Sequence, residues 1–507
     1  MREPVPSERE LDIPSEGELD GYREGADRFL AELDEEYYLH YAGHKPEFEL
    51  RPIYERHADL TDLETVKRVG TAVRGRENLE LFRFGCEGYL GELTREHAEQ
   101  IAALEATLEV AHDGETIGYR MLRPTIANEP DRPTRARLEE SRNALTEEHL
   151  NPLYLDAVAK TQHAVPALGA DNYFLLYRDR LALELEGLAA QCRSFLDSTE
   201  NLYEASMDRA LREQVGVGLA EAERYDLARF FRGSSWDAAF PADRMLPALR
   251  GTLADLGIDL DAQSNVHLDV EARPTKTPRA FCAPIEVPGK VMLVIQPMGG
   301  PDDWRALFHE AGHTEHFAFT SPSLKMEEKR LGDNAVTEGW AMLLQHLVDD
   351  PGWLTRMLSV PKPQEFAAEA AVNLLFFVRR YSAKLLYELE FHAAADPTAM
   401  RSRYVELLGD AVKIEPSGTD YLSDIDPGYY CTSYLRSWAF EAQLSTFLRE
   451  EFGSDWFSRR EAGSLLKELW ELGQQPTADE LLKDVTGAPI ELEAVADKLR
   501  SALHSFA

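Results

Sequence analysis

The stretch WRALFHEAGHTEHFAF, residues 304–319, indicates more about this 507-residue chain than any other part of its sequence. Glycine and aspartate residues come directly before it and favour a helix start at this point. His309 and His313 are four positions apart, so they leave the same face of the helix one turn apart. Two imidazoles with this spacing can bind one zinc ion, and Glu310 lies beside them, where it can deprotonate a metal-bound water.

A catalytic zinc site needs a third protein ligand and one open position. His316 is seven residues from His309, a helix rise of about 10.5 Å, so we expect it to pack or to support the site from outside. The next predicted helix, residues 333–349, offers Asp333 and Glu338. Glu338 precedes an apolar stripe, and a carboxylate beside a buried stripe is unfavourable unless it is paired or bound to metal. We therefore favour Glu338 over Asp333 as the third ligand of one zinc ion per chain.

The segment before this helix differs in character from the rest of the chain. Residues 266–297 contain three short runs rich in β-branched residues, and a tight turn joins the last two. Helical periodicity dominates elsewhere, so we predict a mainly α fold with a small β-sheet beside the zinc site. The predicted parts are a disordered leader, a helical N-terminal region and a catalytic region, residues 1–18, 19–255 and 256–507 respectively.

The composition argues against several kinds of partner and location. Lys and Arg total 54 against 90 Asp and Glu, and a net charge of −36 disfavours nucleic acid and anionic membranes, which need a basic surface. No apolar run approaches the roughly 18 residues of a membrane span. The N-terminal MREPVPSERELDI lacks the basic and apolar parts of a signal peptide, and the four cysteines form no C-x-x-C pair. We therefore expect a soluble, cytoplasmic protein.

The motif FHEAGHTEH at residues 308–316, followed by Glu338, resembles the thimet oligopeptidase/oligopeptidase F family of HExxH zinc metallopeptidases. The preceding RAFCAPIEV and VMLVIQPMGG are similar to the active-site sheet of that family. The resemblance covers residues 265–445 and implies a two-lobed helical clamshell, with zinc at the floor of a deep channel and peptides of limited length as substrates. The ligands that it implies are His309, His313 and Glu338, and the catalytic base is Glu310. The angiotensin-converting-enzyme family is the nearest alternative.

The segment DPGYYCTSYLRSWAFEAQL, residues 426–444, is similar to the Tyr-rich segment of the same family, whose hydroxyls donate to the developing oxyanion. The resemblance implies Tyr434 in this role, with Tyr430 one helical turn before it. A phenol is a suitable donor for charge that zinc alone does not neutralise. The alternative is that the two rings only pack. The family usually has a His about ten residues before this tyrosine, whereas this sequence has none between His392 and His504.

Together these features predict a zinc-dependent endopeptidase that hydrolyses short, unstructured peptides. A zinc carboxypeptidase or dipeptidyl carboxypeptidase is one alternative, and it would need a cationic anchor for the substrate carboxylate, with Lys276, Arg279 and Arg436 as candidates by neighbourhood. A non-catalytic helical peptide-binding protein is another alternative, but it would have no use for Glu310. We also expect an extended peptide to pair with the sheet at residues 291–297.

Overall fold

The computed structural model describes residues 13–504, and the chain is mainly α-helical, as predicted. Most of the predicted leader, residues 1–12, lies outside the described residues. The predicted leader extends too far at its C-terminal end, because helix α1 (Glu16–Tyr41) already begins at Glu16. The side chain of Ser15 caps this helix. Within residues 13–504, no helix is both long enough and apolar enough to cross a lipid bilayer.

The N-terminal part is helical, as predicted, apart from one β-hairpin. Its further helices are α2 (Arg51–Arg56), α3 (Leu63–Thr71), α4 (Leu79–Thr107), α5 (Tyr119–Asn128), α6 (Arg132–Leu145), α7 (Asn151–Ala164), α8 (Tyr173–Leu175), α9 (Leu185–Gln214), α10 (Arg224–Arg232) and α11 (Met245–Asp255). The prediction did not include the antiparallel strands β1 (Glu109–His112) and β2 (Glu115–Gly118). Asp113 and Gly114, both at positive φ, form the two-residue turn between them.

A three-stranded sheet lies in the predicted segment 266–297. Its strands are β3 (Val266–Asp269), β4 (Phe281–Glu286) and β5 (Lys290–Val294). Strand β5 pairs in parallel with β3 and antiparallel with β4, which confirms the predicted tight hairpin. Because β5 is the central strand, both of its edges are already paired. The expectation that a peptide pairs with residues 291–297 is therefore wrong, and the outer edges of the sheet belong to β3 and β4.

The C-terminal part returns to helices. They are α12 (Pro301–Phe319), α13 (Met326–Arg330), α14 (Asn334–Gln345), α15 (Pro351–Trp353), α16 (Pro363–Ala393), α17 (Arg401–Val412), α18 (Cys431–Phe452), α19 (Arg460–Trp470), α20 (Ala478–Thr486) and α21 (Glu493–His504). The predicted helix 304–319 starts three residues earlier, because Pro301 occupies its first turn, a favoured position for proline. The predicted helix 333–349 is α14, which ends at Gln345 and continues as one 3₁₀ turn.

Helix α12 packs between the sheet and α14, and α14 in turn packs against α18. At Gly312 the backbones of α12 and α14 come into direct contact, since a Cβ there would be 2.5 Å from the Cα of Ala341 and 2.5 Å from the carbonyl oxygen of Trp340. A single hydrophobic core connects the two parts of the chain, with members from Tyr22 in α1 to Leu503 in α21. The close approach at Gly312 places the histidine-bearing face of α12 opposite α14.

Candidate metal centre

Two histidines of α12 and one glutamate of α14 meet between these helices. Nε2 of His309 is 3.2 Å from Nε2 of His313. Oε2 of Glu338 is 3.5 Å from Nε2 of His309 and 4.0 Å from Nε2 of His313. The structure thus brings together the three side chains that the sequence predicted as metal ligands, with one potential ligand atom from each facing the same point.

Each imidazole is held by a hydrogen bond between its Nδ1 and a side chain of α14. Nδ1 of His309 is 2.8 Å from Oε1 of Gln345, and Nδ1 of His313 is 2.8 Å from Oγ1 of Thr337. Because the amide oxygen of Gln345 can only accept, Nδ1 of His309 donates and its Nε2 keeps a free lone pair. The same tautomer of His313, donating to Thr337, directs a second lone pair into the cluster.

Burial keeps both imidazoles neutral. It lowers the pKa of His309 to about 4 and the pKa of His313 well below its usual value. Burial also raises the pKa of Glu338 to about 7, an effect that the hydrogen bond from Tyr430 partly opposes. Neutral imidazole is the form that binds a metal ion.

These donors fit a zinc ion. Two nitrogens bound to one tetrahedral zinc at about 2.0–2.1 Å lie roughly 3.3 Å apart, close to the 3.2 Å between the two Nε2 atoms. Oε2 of Glu338 is buried and has no hydrogen-bond partner among the described residues. A buried oxygen without a partner is unfavourable, and a cation shared with the two imidazoles would supply that partner. Two histidines with one glutamate form a donor set found in catalytic zinc sites.

Glu310 extends from α12 toward the sheet. Its Oε2 accepts a hydrogen bond of 2.9 Å from the backbone N–H of Cys282 in β4. Burial raises the pKa of Glu310 to about 8, with a smaller contribution from the charge of Glu338, while the bond from Cys282 acts in the opposite direction. A carboxyl group with a pKa near neutrality can both accept and release a proton. Glu310 directly follows His309 in α12, and the charge of Glu338 acts on it, while its role as catalytic base stays a prediction.

The two predicted tyrosines lie on the other side of Glu338 and differ in their contacts. The hydroxyl of Tyr430 donates to Oε1 of Glu338 at 2.9 Å. Tyr434 contacts the rings of Tyr430, Tyr381 and Trp438. Burial raises the pKa of both phenols, so both stay protonated and able to donate. Tyr430 therefore orients the predicted metal ligand Glu338, a contact that the sequence did not indicate. The oxyanion role of Tyr434 stays a prediction.

The two side chains considered and set aside as ligands have other environments. Asp333 accepts from the N–H of Ala335 at the start of α14, and its two oxygens lie 2.8 and 2.6 Å from the guanidinium of Arg436. His316 is fully buried and does not belong to the ligand cluster found within the described residues. The structure therefore favours Glu338 over Asp333, in agreement with the choice made from sequence.

Two of the three candidate carboxylate anchors are engaged in buried or partly buried ion pairs. Nζ of Lys276 is 2.8 Å from Oδ1 of Asp269, and its side chain has no solvent exposure. Arg436 is bound by Asp333 and, at 2.8 Å, by Asp479. Arg279 is three residues before Cys282 in the chain and is exposed. Of the three, Arg279 alone has no carboxylate oxygen within 4.0 Å among the described residues.

A second group of potential metal ligands lies beside a buried lysine, whose positive charge takes the place of a metal cation. Glu388, Asp426 and Cys431 place three potential ligand atoms close together. Nζ of Lys384 lies 2.7 Å from Oδ1 of Asp426 and 3.9 Å from Oε1 of Glu388. Lys384 already neutralises this cluster, so it is a buried ion-pair network and not a metal site.

The residues that the sequence reasoning missed are Thr337, Gln345 and Cys282. A signal was present for the first two, because both are polar residues in the otherwise apolar α14, directly before Glu338 and two turns after it. Cys282 acts through its backbone N–H, so its side chain carries no signal. A comparison of the chain with known protein families found no match, and a comparison with curated proteins found no relative. The resemblance to the thimet oligopeptidase/oligopeptidase F family stays a prediction that rests on the residues quoted above.

Proposed function

We propose that the protein is a zinc-dependent peptidase that hydrolyses short, unstructured peptides. The observation that supports this most strongly is the combination of a two-histidine, one-glutamate ligand set with a second carboxylate, Glu310, on the same helix. Metal binding alone requires only the three ligands. Glu310 adds a proton acceptor at the position where a hydrolytic reaction needs one.

The proposed reaction uses the cluster as follows. Zinc held by His309, His313 and Glu338 would polarise a peptide carbonyl and activate a water molecule. Glu310 accepts a proton from the attacking water and passes it to the nitrogen of the leaving amine. The N–H of Cys282 holds Oε2 of Glu310 and leaves Oε1 for this proton transfer.

Tyr434 and Tyr430 would then divide two tasks. The hydroxyl of Tyr434 donates to the carbonyl oxygen of the substrate as negative charge develops on it. Tyr430 keeps the carboxylate of Glu338 oriented through the 2.9 Å hydrogen bond to its Oε1.

Strand β4 has an outer edge that the central strand β5 lacks, but two of its backbone groups, the N–H of Cys282 and the carbonyl of Ile285, already bond to side chains of the protein. The N–H of Cys282 points toward Glu310, so this part of β4 borders the candidate centre. Further along the strand, the carbonyl of Ile285 accepts from Arg330 at 3.1 Å. A peptide that adds to this edge must be extended, which favours short, unstructured substrates over folded proteins.

The alternatives lead to different products. A carboxypeptidase or dipeptidyl carboxypeptidase would release one or two residues from the C-terminus, with exposed Arg279 as the anchor for the carboxylate. An endopeptidase would cut inside peptides whose C-terminus is amidated as readily as inside free ones. A non-catalytic peptide-binding protein would bind both and release nothing. Mass spectrometry of digests of amidated and free peptides separates these three outcomes.

The decisive experiment combines metal analysis with the turnover of quenched peptides. We expect one zinc per chain in the wild type and in Glu310→Gln, and no zinc in His309→Ala, His313→Ala or Glu338→Ala. Glu310→Gln should bind peptide and lose most turnover, because a neutral amide cannot take the proton.

Asp302→Asn is a matched control, since Asp302 is an exposed acidic residue in the first turn of the same helix. It should keep both zinc and activity. Turnover by Glu310→Gln within tenfold of the wild type would contradict the role of Glu310, and full zinc content in Glu338→Ala would contradict the ligand set.

A further inference from the structure

A cavity of about 770 Å³ lies between helices α4 and α7 and the turn that precedes α18. Its volume is in the range of cavities that bind small ligands. Tyr430 forms part of its wall, and the hydroxyl of the same residue donates to Oε1 of Glu338. The cavity is therefore next to the candidate metal centre, with one side chain between them.

Glu87 of α4 lines this cavity without a cationic partner. Its side chain is exposed, yet desolvation by the surrounding protein raises its pKa to about 6, an effect that the charge of Arg83 and a hydrogen bond with Tyr177 partly oppose. Oε1 of Glu87 faces the turn before Tyr430, since a Cβ at Gly428 would be 3.2 Å from it. The nearby guanidinium of Arg83 is bound to Glu80 at 2.7 Å. Within residues 13–504, no Lys or Arg nitrogen lies within 4.0 Å of the Glu87 carboxylate.

The three other carboxylates of the cavity wall each have a cationic partner, and that of Glu105 is Arg120 at 4.0 Å. Asp333 is bound by Arg436 at 2.6 Å, and Asp426 is bound by Lys384 at 2.7 Å. Glu87 therefore differs from them in having no Lys or Arg nitrogen within ion-pair distance among residues 13–504, although the charge of Arg83 acts on it from further away. A ligand that enters the cavity meets a carboxylate whose nearest protein partner is the hydroxyl of Tyr177.

His392, at the C-terminal end of α16, also lines the cavity. The residue is 9% exposed, and its Nε2 has no hydrogen-bond partner among the described residues. Its ring stacks on Tyr173, with the ring centroids 4.2 Å apart. Burial lowers the pKa of His392 to about 3, so the imidazole is neutral and adds no positive charge to the cavity wall.

We propose that this cavity binds a positively charged amine of the substrate, with the carboxylate of Glu87 as its principal partner. An ammonium group has three N–H donors and no acceptor, which suits the carboxylate of Glu87. The rings of Tyr173 and Tyr177 belong to the same wall, where they pack against each other and Tyr173 stacks on His392. The inference rests on the peptidase function proposed above, because it places this amine on a peptide held at the adjacent metal centre.

Two parts of a peptide carry this chemistry, the N-terminal α-ammonium group and the side chain of lysine. The probes that distinguish them are a nine-residue peptide without charged side chains, its N-acetylated form, and acetylated forms with one lysine at each successive position. The kcat/KM of each peptide is measured with the wild type, with Glu87→Gln and with Glu96→Gln. Glu96 is an exposed glutamate on the opposite side of α4, nine residues further along, so it controls for the overall negative charge of the protein.

We expect the wild type and Glu96→Gln to prefer an amine-bearing peptide over the uncharged one by about tenfold to hundredfold, the effect of one charge-assisted hydrogen bond. In Glu87→Gln the preference should fall to nearly one. Loss of activity on acetylation identifies the α-ammonium group as the bound amine, and a gain at one lysine position identifies the side chain. An equal preference in Glu87→Gln and Glu96→Gln overturns the inference.

The same peptides are titrated calorimetrically into Glu310→Gln and into Glu310→Gln combined with Glu87→Gln. This measurement gives the amine preference without turnover. If the wild type cleaves no peptide, yet binding prefers the amine in a way that depends on Glu87, the proposed peptidase function is refuted and the proposed amine site is supported. If the wild type cleaves peptides and the amine preference does not depend on Glu87, the peptidase function is supported and the amine site is refuted.

Discussion

Replacing Gly312 by alanine tests whether the contact between α12 and α14 sets the geometry of the candidate metal centre. The new Cβ would be 2.5 Å from both the Cα of Ala341 and the carbonyl oxygen of Trp340. Ordinary contacts between non-bonded carbon atoms are about 3.5–4.0 Å, so the helices must separate by about 1 Å. Both obstacles are backbone atoms, which cannot rotate away as a side chain can.

Overpacking of this kind lowers the free energy of unfolding by about 1–3 kcal/mol. The effect opposes the helix propensity of alanine, which by itself favours the substitution by about 0.8–1.0 kcal/mol in a helix interior. Gly21→Ala is the matched control, because Gly21 is a helical glycine of α1 with no atom within 4 Å of a new Cβ. We expect Gly21→Ala to leave stability unchanged or to raise it.

Urea unfolding followed by circular dichroism measures this difference, after a chelator has removed the metal so that packing and zinc binding are separated. Zinc affinity is measured independently by competition with a fluorescent chelator. Since His309 and His313 move with α12 while Glu338 moves with α14, we expect Gly312→Ala to bind zinc at least about tenfold more weakly. Wild-type stability together with wild-type zinc affinity would refute the view that this contact positions the ligands.

Tyr430→Phe should weaken zinc binding by about 10- to 100-fold, because Oε1 of Glu338 loses its donor; an unchanged affinity would show that this hydrogen bond does not orient the ligand. Tyr434→Phe should keep zinc and lower kcat by about 10²–10³ with KM nearly fixed, since a donor to the oxyanion acts only in the transition state. A wild-type kcat would show that the ring of Tyr434 contributes packing alone. Desolvation raises the pKa of Asp269, but hydrogen bonds from Arg273 and Lys276 outweigh it, so the pKa in the folded protein is lowered. The ionised Asp269 therefore stabilises the fold above its unfolded pKa of about 3.9, and this stabilisation is lost as the pH falls further. The stability difference between wild type and Asp269→Asn should therefore stay nearly constant from pH 7 to about pH 5 and shrink as the pH falls below about 4. A difference that stays constant down to about pH 2 would contradict the assignment.

Local features of the site could be predicted because they depend on neighbours in sequence. The spacing of His309 and His313 on one helical face follows from the geometry of any α-helix, and the apolar run after Glu338 indicates that α14 is buried. The strands of the sheet follow from β-branched runs in the same way. These rules need no knowledge of the tertiary fold.

Contacts between distant segments could not be predicted in the same way. The hydrogen bond from Tyr430 to Glu338 joins residues 92 positions apart, and the N–H that holds Glu310 belongs to Cys282, 28 positions away. The expected peptide position at residues 291–297 was wrong for a related reason. Alternation identifies a strand, but whether β5 lies at the centre or at the edge depends on its parallel pairing with β3, which alternation alone does not encode.

The energetics of the cluster argue for catalysis over simple binding. His309, His313 and Glu338 are ionisable groups shifted by burial toward their neutral forms, and apolar residues of similar volume would be at least as favourable for folding. A metal ion explains these three, because it would neutralise the carboxylate and use both imidazole lone pairs. It does not explain Glu310, whose Oε2 is held by β4 and whose pKa is raised by the same burial. A perturbed carboxyl group beside a metal-ligand set has a use when a proton must be taken up and released during a reaction. The proposed peptidase reaction includes such a proton transfer, whereas the binding of a peptide alone does not require one.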